Sequence, residues 1–321
     1  MKSFLFTTFC LISSFLNAEN DFPFGLYFND QTLRIDYFHT GDAKSEEITL
    51  DKIYVEGIWA GNPDNCLRAP ELGMYKVKVE DVATGKLLFM KGFNSIFAEY
   101  KTIDTALKGI RKTFHESVLI PFPKRAFRLI IEKRERTQKL STLFTKEIDP
   151  SDYHIIKQKT GCLSDAVFPI IKNGKPHEKV DIAILAEGYQ RNEIDQFKID
   201  LENYTRLFFS VEPYKSRSRD FNVYGVFSAS EESGTDEPRQ MIYKNTRFGS
   251  SFNYFDLDRY CLADENKSIR DVASNVPYDA IIIMVNRERY GGGGIYNWQT
   301  VFTARSERSD YVFLHEFGHG F

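Results

Sequence analysis

His315-Glu316-Phe317-Gly318-His319 is the stretch on which the reading of this chain turns. Val312, Phe313, Leu314 and Phe317 make its surroundings apolar, as a helix packed on a core requires. On such a helix, residues four apart lie one above the other on the same face. His315 and His319 can therefore point one imidazole nitrogen each at a single Zn²⁺, at about 2.0–2.1 Å. Glu316 stands one step round the helix, beside the metal. There it can take a proton from a water whose pKa the zinc lowers towards about 7, and pass it to a leaving amine. The chemistry expected is zinc-dependent hydrolysis of a peptide bond in a protein or peptide substrate. A catalytic zinc takes three protein ligands. The sequence stops at Phe321, so the third is expected downstream, and the 321-residue form is expected to hold zinc weakly and to be inactive alone.

Upstream, Ser306-Glu307-Arg308-Ser309-Asp310 offers side-chain acceptors for a helix start, after a strand-like run from Tyr296 to Ala304. Before that lies Tyr290-Gly291-Gly292-Gly293-Gly294-Ile295. No Lys-Ser/Thr follows the glycines and no dinucleotide spacing is present, so this is no phosphate loop. Glycine lets another backbone come near. In zinc peptidases an edge strand over the active-site helix holds extended substrate by backbone pairing. Gly291, Gly292, Gly293, Gly294 and Ile295 are accordingly candidate substrate-binding residues, and a flexible glycine turn is the alternative. Glu231 to Glu237 is acidic but lacks EF-hand spacing, and reads as a solvated loop. No GxSxG elbow surrounds Ser210, Ser228 or Ser230, which argues against a serine hydrolase.

Further out, Val180 to Leu185, Phe221 to Phe227 and Ala280 to Val285 read as strands, and about Asn192 to Ser210 as an amphipathic helix. That order is an α/β layer with a sheet core. Between Phe22 and Arg136 the pattern changes to short strands. Leu33, Ile35 and Tyr37 alternate with polar residues; Tyr75 to Val79 alternates too, and Thr84-Gly85 turns it back into Leu87 to Phe89. Phe127 to Ile131 adds another strand. This part reads as a β-sandwich. Links are expected around Asp149-Pro150-Ser151 and Asn173-Gly174-Lys175-Pro176.

Lys2, the apolar run Phe4 to Leu16 and the small Ala18 make a secretory signal peptide over 1–18, with an uncleaved anchor as the alternative. The chain is expected to be secreted, whether periplasmic, cell-surface or extracellular, with no permanent membrane span. A formal net charge of -3 gives no basic footprint for nucleic acid. Of the 4 cysteines, Cys10 leaves with the signal; Cys66, Cys162 and Cys261 form neither a disulfide framework nor a CxxC site.

The chain after the signal resembles the bacterial IgA-peptidase family of metzincin-like zinc metallopeptidases. The stretches that carry the resemblance are Gly92-Phe93-Asn94-Ser95-Ile96-Phe97, Phe114-His115-Glu116-Ser117, Ala186-Glu187-Gly188-Tyr189, Asn286, Tyr290 to Asn297 and His315 to His319. The resemblance implies zinc ligands at His315 and His319, a catalytic base at Glu316, and a third ligand in a Gly-Leu-Ala-Asp-Glu-Tyr-like run that continues the helix. The fold class expected is α+β. An N-terminal all-β sandwich over 19–150 precedes a zincin- or metzincin-like α/β catalytic domain over 175–321, incomplete at its C-terminus. Two other readings stand beside it: a non-catalytic secreted binding protein with a degenerate zincin half, and a different zinc hydrolase with Glu as third ligand.

Overall fold

A computed structural model describes residues 23–68, 70, 72–157 and 165–321. The expected signal peptide and Cys162 lie outside the described residues. After a short helix α1 (Phe24–Tyr27), seven strands form two antiparallel sheets. One has the order β2-β1-β5, from β1 (Phe28–Gly41), β2 (Glu46–Val55) and β5 (Lys112–Pro123). The other has the order β4-β3-β6-β7, from β3 (Tyr75–Asp81), β4 (Leu87–Phe93), β6 (Phe127–Arg134) and β7 (Leu140–Ile148). Leu33 and Ile35 of β1 meet Val77, Val79, Leu129 and Ile131 of β3 and β6 in one apolar core. The alternation read from Leu33 to Tyr37 thus faces a sandwich interior. Between β4 and β5 run two short helices, α2 (Ile96–Tyr100) and α3 (Asp104–Leu107).

The polar half of the β1 alternation does not face water. Arg34 and Asp36 are fully buried. The Arg34 guanidinium donates to Glu56 at 2.9 Å and to Asp271 at 2.9 Å, and Ser117 of β5 donates to Asp36 at 2.6 Å. Asp271 belongs to the second half of the chain, so this outer face of the sandwich is an internal interface.

That second half is built on a six-stranded sheet of order β14-β15-β13-β9-β10-β8. Its strands are β8 (Ala166–Ile171), β9 (Val180–Glu187), β10 (Phe221–Phe227), β13 (Ala280–Val285), β14 (Gly292–Ile295) and β15 (Gln299–Thr303). β15, β13, β9 and β10 are parallel to their neighbours, while β8 and β14 close the two edges antiparallel. A two-residue pair, β11 (Ser250–Ser251) and β12 (Leu262–Ala263), sits in the irregular stretch between β10 and β13. α4 (Ile194–Phe208) and α6 (Ser309–Gly320) cover one sheet face, over Ile182, Ile184, Met284 and Phe302. α5 (Asn266–Ala273) covers the other, with Leu119 of the sandwich packed against the same cluster. The molecule is α+β. No described helix is long and apolar enough to cross a membrane.

β8 precedes the expected domain start at 175. It carries Pro169, which cannot donate to a ladder and suits an edge strand. The Asn173-Gly174-Lys175-Pro176 stretch is accordingly the turn from β8 to β9, inside the second sheet.

Candidate metal centre

β15 is buried along its whole length and feeds α6 after a short turn. The expected side-chain cap at the helix start is absent: Arg308 occupies the cap position and makes no capping bond. Ser309 ties the start down instead. Its Oγ accepts the Ser306 amide at 2.8 Å and donates to the Thr303 carbonyl at the end of β15. From there Val312, Phe313 and Phe317 turn inward. The Phe313 ring lies 4.9 Å from that of Phe302 and 5.4 Å from Tyr204, and Phe317 lies 4.8 Å from Phe208. Each such burial contributes roughly 1.5–3 kcal/mol. This packing fixes the rotation of α6, so the opposite face carries His315 and His319 to the surface, with Glu316 half-buried between the two sides.

The two imidazoles converge: His315 Nε2 and His319 Nε2 are 3.2 Å apart. Two nitrogens bound to one tetrahedral zinc at 2.0–2.1 Å would be separated by about 3.3 Å, so the pair has the spacing that ion needs. Tyr311, one turn earlier, stacks on His315 with ring centroids 5.5 Å apart. Ligand atoms of His315, Glu316 and His319 all lie within 4.8 Å of one another, and among the described residues no further His, Cys, Asp or Glu joins them. Burial raises the Glu316 carboxyl, against the opposing pull of both histidines and of the nearby Gly294 amide.

The glycine run is the edge strand β14 itself, and its glycines face two ways. A Cβ on Gly294 would sit 2.2 Å from the Glu316 carbonyl oxygen, and one on Gly292 would sit 2.7 Å from Val312 Cγ1. Gly291 and Gly293 face the other side, where a Cβ would meet Phe252 and Tyr260 at 2.3 and 2.5 Å. Helix and strand can approach this closely only because both facing positions lack side chains. The outer edge of β14 is already paired at Gly292, whose amide donates to Arg259 and whose carbonyl accepts from Cys261, each at 3.2 Å. Ile295 is buried in the core below the sheet. Of the five expected substrate-binding residues, Gly294 alone is placed against Glu316 and His319 with an outward-facing backbone.

Several stretches that suggested the family resemblance hold the structure. The buried Glu187 carboxylate at the end of β9 accepts from Thr246 Oγ1 at 2.6 Å, the Phe248 amide at 2.8 Å and the Ser250 amide at 2.9 Å, which pins the loop after β10. The Asn286 amide group bridges the Gly188 carbonyl, Glu193 and Ser233. In the acidic loop, Glu232 accepts from the Asn245 amide and Lys244, and Glu237 pairs with Arg287 and Arg289. Cys66 and Cys261 are free and buried.

A helix that presents two converging imidazoles and a carboxylate beside a sheet edge is a candidate metal site of the kind metal-dependent hydrolases use. The particular family is given by comparison with known proteins. The family model described as IgA Peptidase M64 matches residues 168–321, and the one described as Peptidase M64 N-terminus matches residues 23–145. The chain belongs to the M64 peptidase family, and it is a peptidase of the metallopeptidase class. No curated protein matches it.

Proposed function

We propose that this protein is a secreted, zinc-dependent metallopeptidase of zincin-like catalytic fold, with an N-terminal sandwich and a catalytic unit that begins at β8. The observation that carries the reading is the 3.2 Å convergence of His315 and His319 on a helix that also presents Glu316. His315 and His319 would hold the ion through Nε2, with a third ligand from outside this trio. When bound, the ion supplies the positive charge that acidifies water and polarises a carbonyl. The chain's own contribution is to position and move protons. Glu316 takes a proton from the attacking water and returns it to the leaving amine. The free backbone face of β14 at Gly294 orients an extended peptide across the centre.

The test is metal analysis of the full-length protein after dialysis. About one zinc per chain is expected, and His315→Ala or His319→Ala should each reduce it to a small fraction. Full zinc occupancy in either histidine variant would remove that residue from the ligand set.

A further inference from the structure

The joint between the sandwich and the catalytic sheet is not filled. Where β4 and β5 meet α5 and the start of β13, a cavity of about 40 Å³ is lined in part by Lys91, Arg270, Asp279, Asn297 and Trp298. That is room for about three water-sized spheres. Lys91, Leu119, Asp279 and Asn297 also line a groove of about 580 Å³, whose walls include Trp59, Phe89 and Tyr296. Cavity and groove therefore adjoin. Asn297, common to both, spans the joint: its Nδ2 donates to the Gly92 carbonyl at 2.9 Å and its amide to the Gly320 carbonyl at 2.8 Å. The groove has the size of a small-molecule site, and such sites favour boundaries between packed units. None of His315, Glu316 and His319 lines either space.

The charge here is one-sided. Arg68, Lys91, Lys179 and Arg270 line the two spaces, and Asp279 is the one carboxylate among the described lining residues. Asp279 is already engaged, since its Oδ2 accepts the Asp181 amide at 2.9 Å. Neither Lys91 nor Arg270 makes an ion pair among the described residues. Asp36 and Glu56 feel the charge of Arg270, but Arg34 holds both of them. Arg270 is only 5% exposed. Its Nη2 donates to the Trp298 carbonyl at 3.4 Å, a long bond, and its Nε has no partner. The Trp298 and Tyr278 rings flank the guanidinium, with centroids at 5.1 and 5.9 Å. Burial lowers the Lys91 pKa, against the pull of Asp279. Two cations in a nearly dry cavity without a close counter-ion are costly to keep. An anion between them would offset that cost.

We propose that the joint is a binding site for a carboxylate carried by an apolar body. The carboxylate enters the cavity between Lys91 and Arg270, and the body lies in the groove beside Trp59, Phe89 and Tyr296. Lys91 donates a charge-assisted hydrogen bond, and Arg270 supplies the second positive charge. A small aromatic acid and a peptide ending in an apolar residue share this chemistry.

The chain has 2 tryptophans, and both line the site, Trp59 the groove and Trp298 the cavity. Ligand entry is therefore read as a change in tryptophan fluorescence, with affinities from calorimetry. Full-length protein is titrated with phenylpropanoate, its amide and acetate, and with acetyl-glycyl-phenylalanine and its C-terminal amide. An acid that binds should do so at least about tenfold more tightly than its amide. Phenylpropanoate should also outbind acetate. Lys91→Met should abolish the difference between acid and amide, and Lys91→Arg should keep most of it. Binding of the peptide acid alone assigns the carboxylate to a chain terminus, and binding of phenylpropanoate assigns it to a small acid. A carboxylate can also bind a metal, so the titration is repeated on His319→Ala, where the affinity should be unchanged. Loss of binding there places the acid at the metal centre and overturns the proposal. So does equal affinity for acids and amides, acetate binding as tightly as phenylpropanoate, or a Lys91→Met variant that still discriminates. If Lys91→Met fails to fold, the comparison of acid with amide on the wild type and on His319→Ala decides alone.

Discussion

Glu316 shares a helical turn with the two histidines but differs from them in its surroundings. They are exposed, and it is half-buried. In the proposed chemistry it moves protons and holds no metal. Glu316→Gln is therefore expected to retain zinc and to lower kcat/KM at least about a hundredfold, the usual share of general base catalysis. Steady-state kinetics beside metal analysis checks both, and near-normal turnover would remove Glu316 as the base. This trio was legible in the sequence because a helix converts a spacing of four into adjacency. Tyr311 obeys the same rule, four residues before His315, and its stack on that ring was equally readable. The close approach of Gly294 was not: it comes from an edge strand, and no local period connects it to His319.

At the scale of elements, strands with a side-chain pattern were read well. Phe221–Phe227 and Ala280–Val285 emerge with the ends their apolar runs suggested. β14 was harder, because four glycines carry no alternation to read, and its register appears only through β15 and α6. The contacts there set the expected effect of substitutions, because a Cβ at Gly294 collides with the backbone of α6. Gly294→Ala is expected to cost about 1–3 kcal/mol by overpacking. Gly318→Ala, where nothing lies within 4 Å, should stabilise the same helix by about 1 kcal/mol. Thermal unfolding of the two variants separates them, and a Gly294→Ala protein as stable as wild type would contradict the close packing. β9 supplies a pH prediction. Burial pushes the Asp181 carboxyl up to about 7, with Asp279 adding to the rise and the Asn222 amide opposing it. A folded-state pKa above the unfolded one gives stability that is complete below about pH 4 and is lost as pH rises through about 7. Asp181→Asn should flatten this part of the stability profile and raise stability at pH 8. Denaturant titrations between pH 4 and pH 8 would show it, and identical slopes for the two proteins would refute it.

For the whole molecule, the joint between sandwich and catalytic sheet centres on Arg34. Its guanidinium serves Asp36 and Glu56 within the sandwich and Asp271 on α5, all under cover. Arg34→Ala would strand these carboxylates and should cost about 3–5 kcal/mol. Denaturant unfolding measures it, and a loss below about 1 kcal/mol would show that the joint is held elsewhere. The sandwich has its own core, and the second sheet carries an apolar cluster on each face. The joint itself was hidden, because Arg34 and Asp36 occupy positions that strand alternation assigns to solvent. Asn297 is the smallest piece of this joint, bonded at once to Gly92 of the sandwich and Gly320 of the helix. Such a residue ties the inheritance of the two halves together. A catalytic half recombined with a foreign partner would leave this asparagine without one of its two anchors, and the turn beneath the histidines would be free to drift. Selection for activity would then act against exchanging the sandwich, and the two halves would descend as a single evolutionary unit.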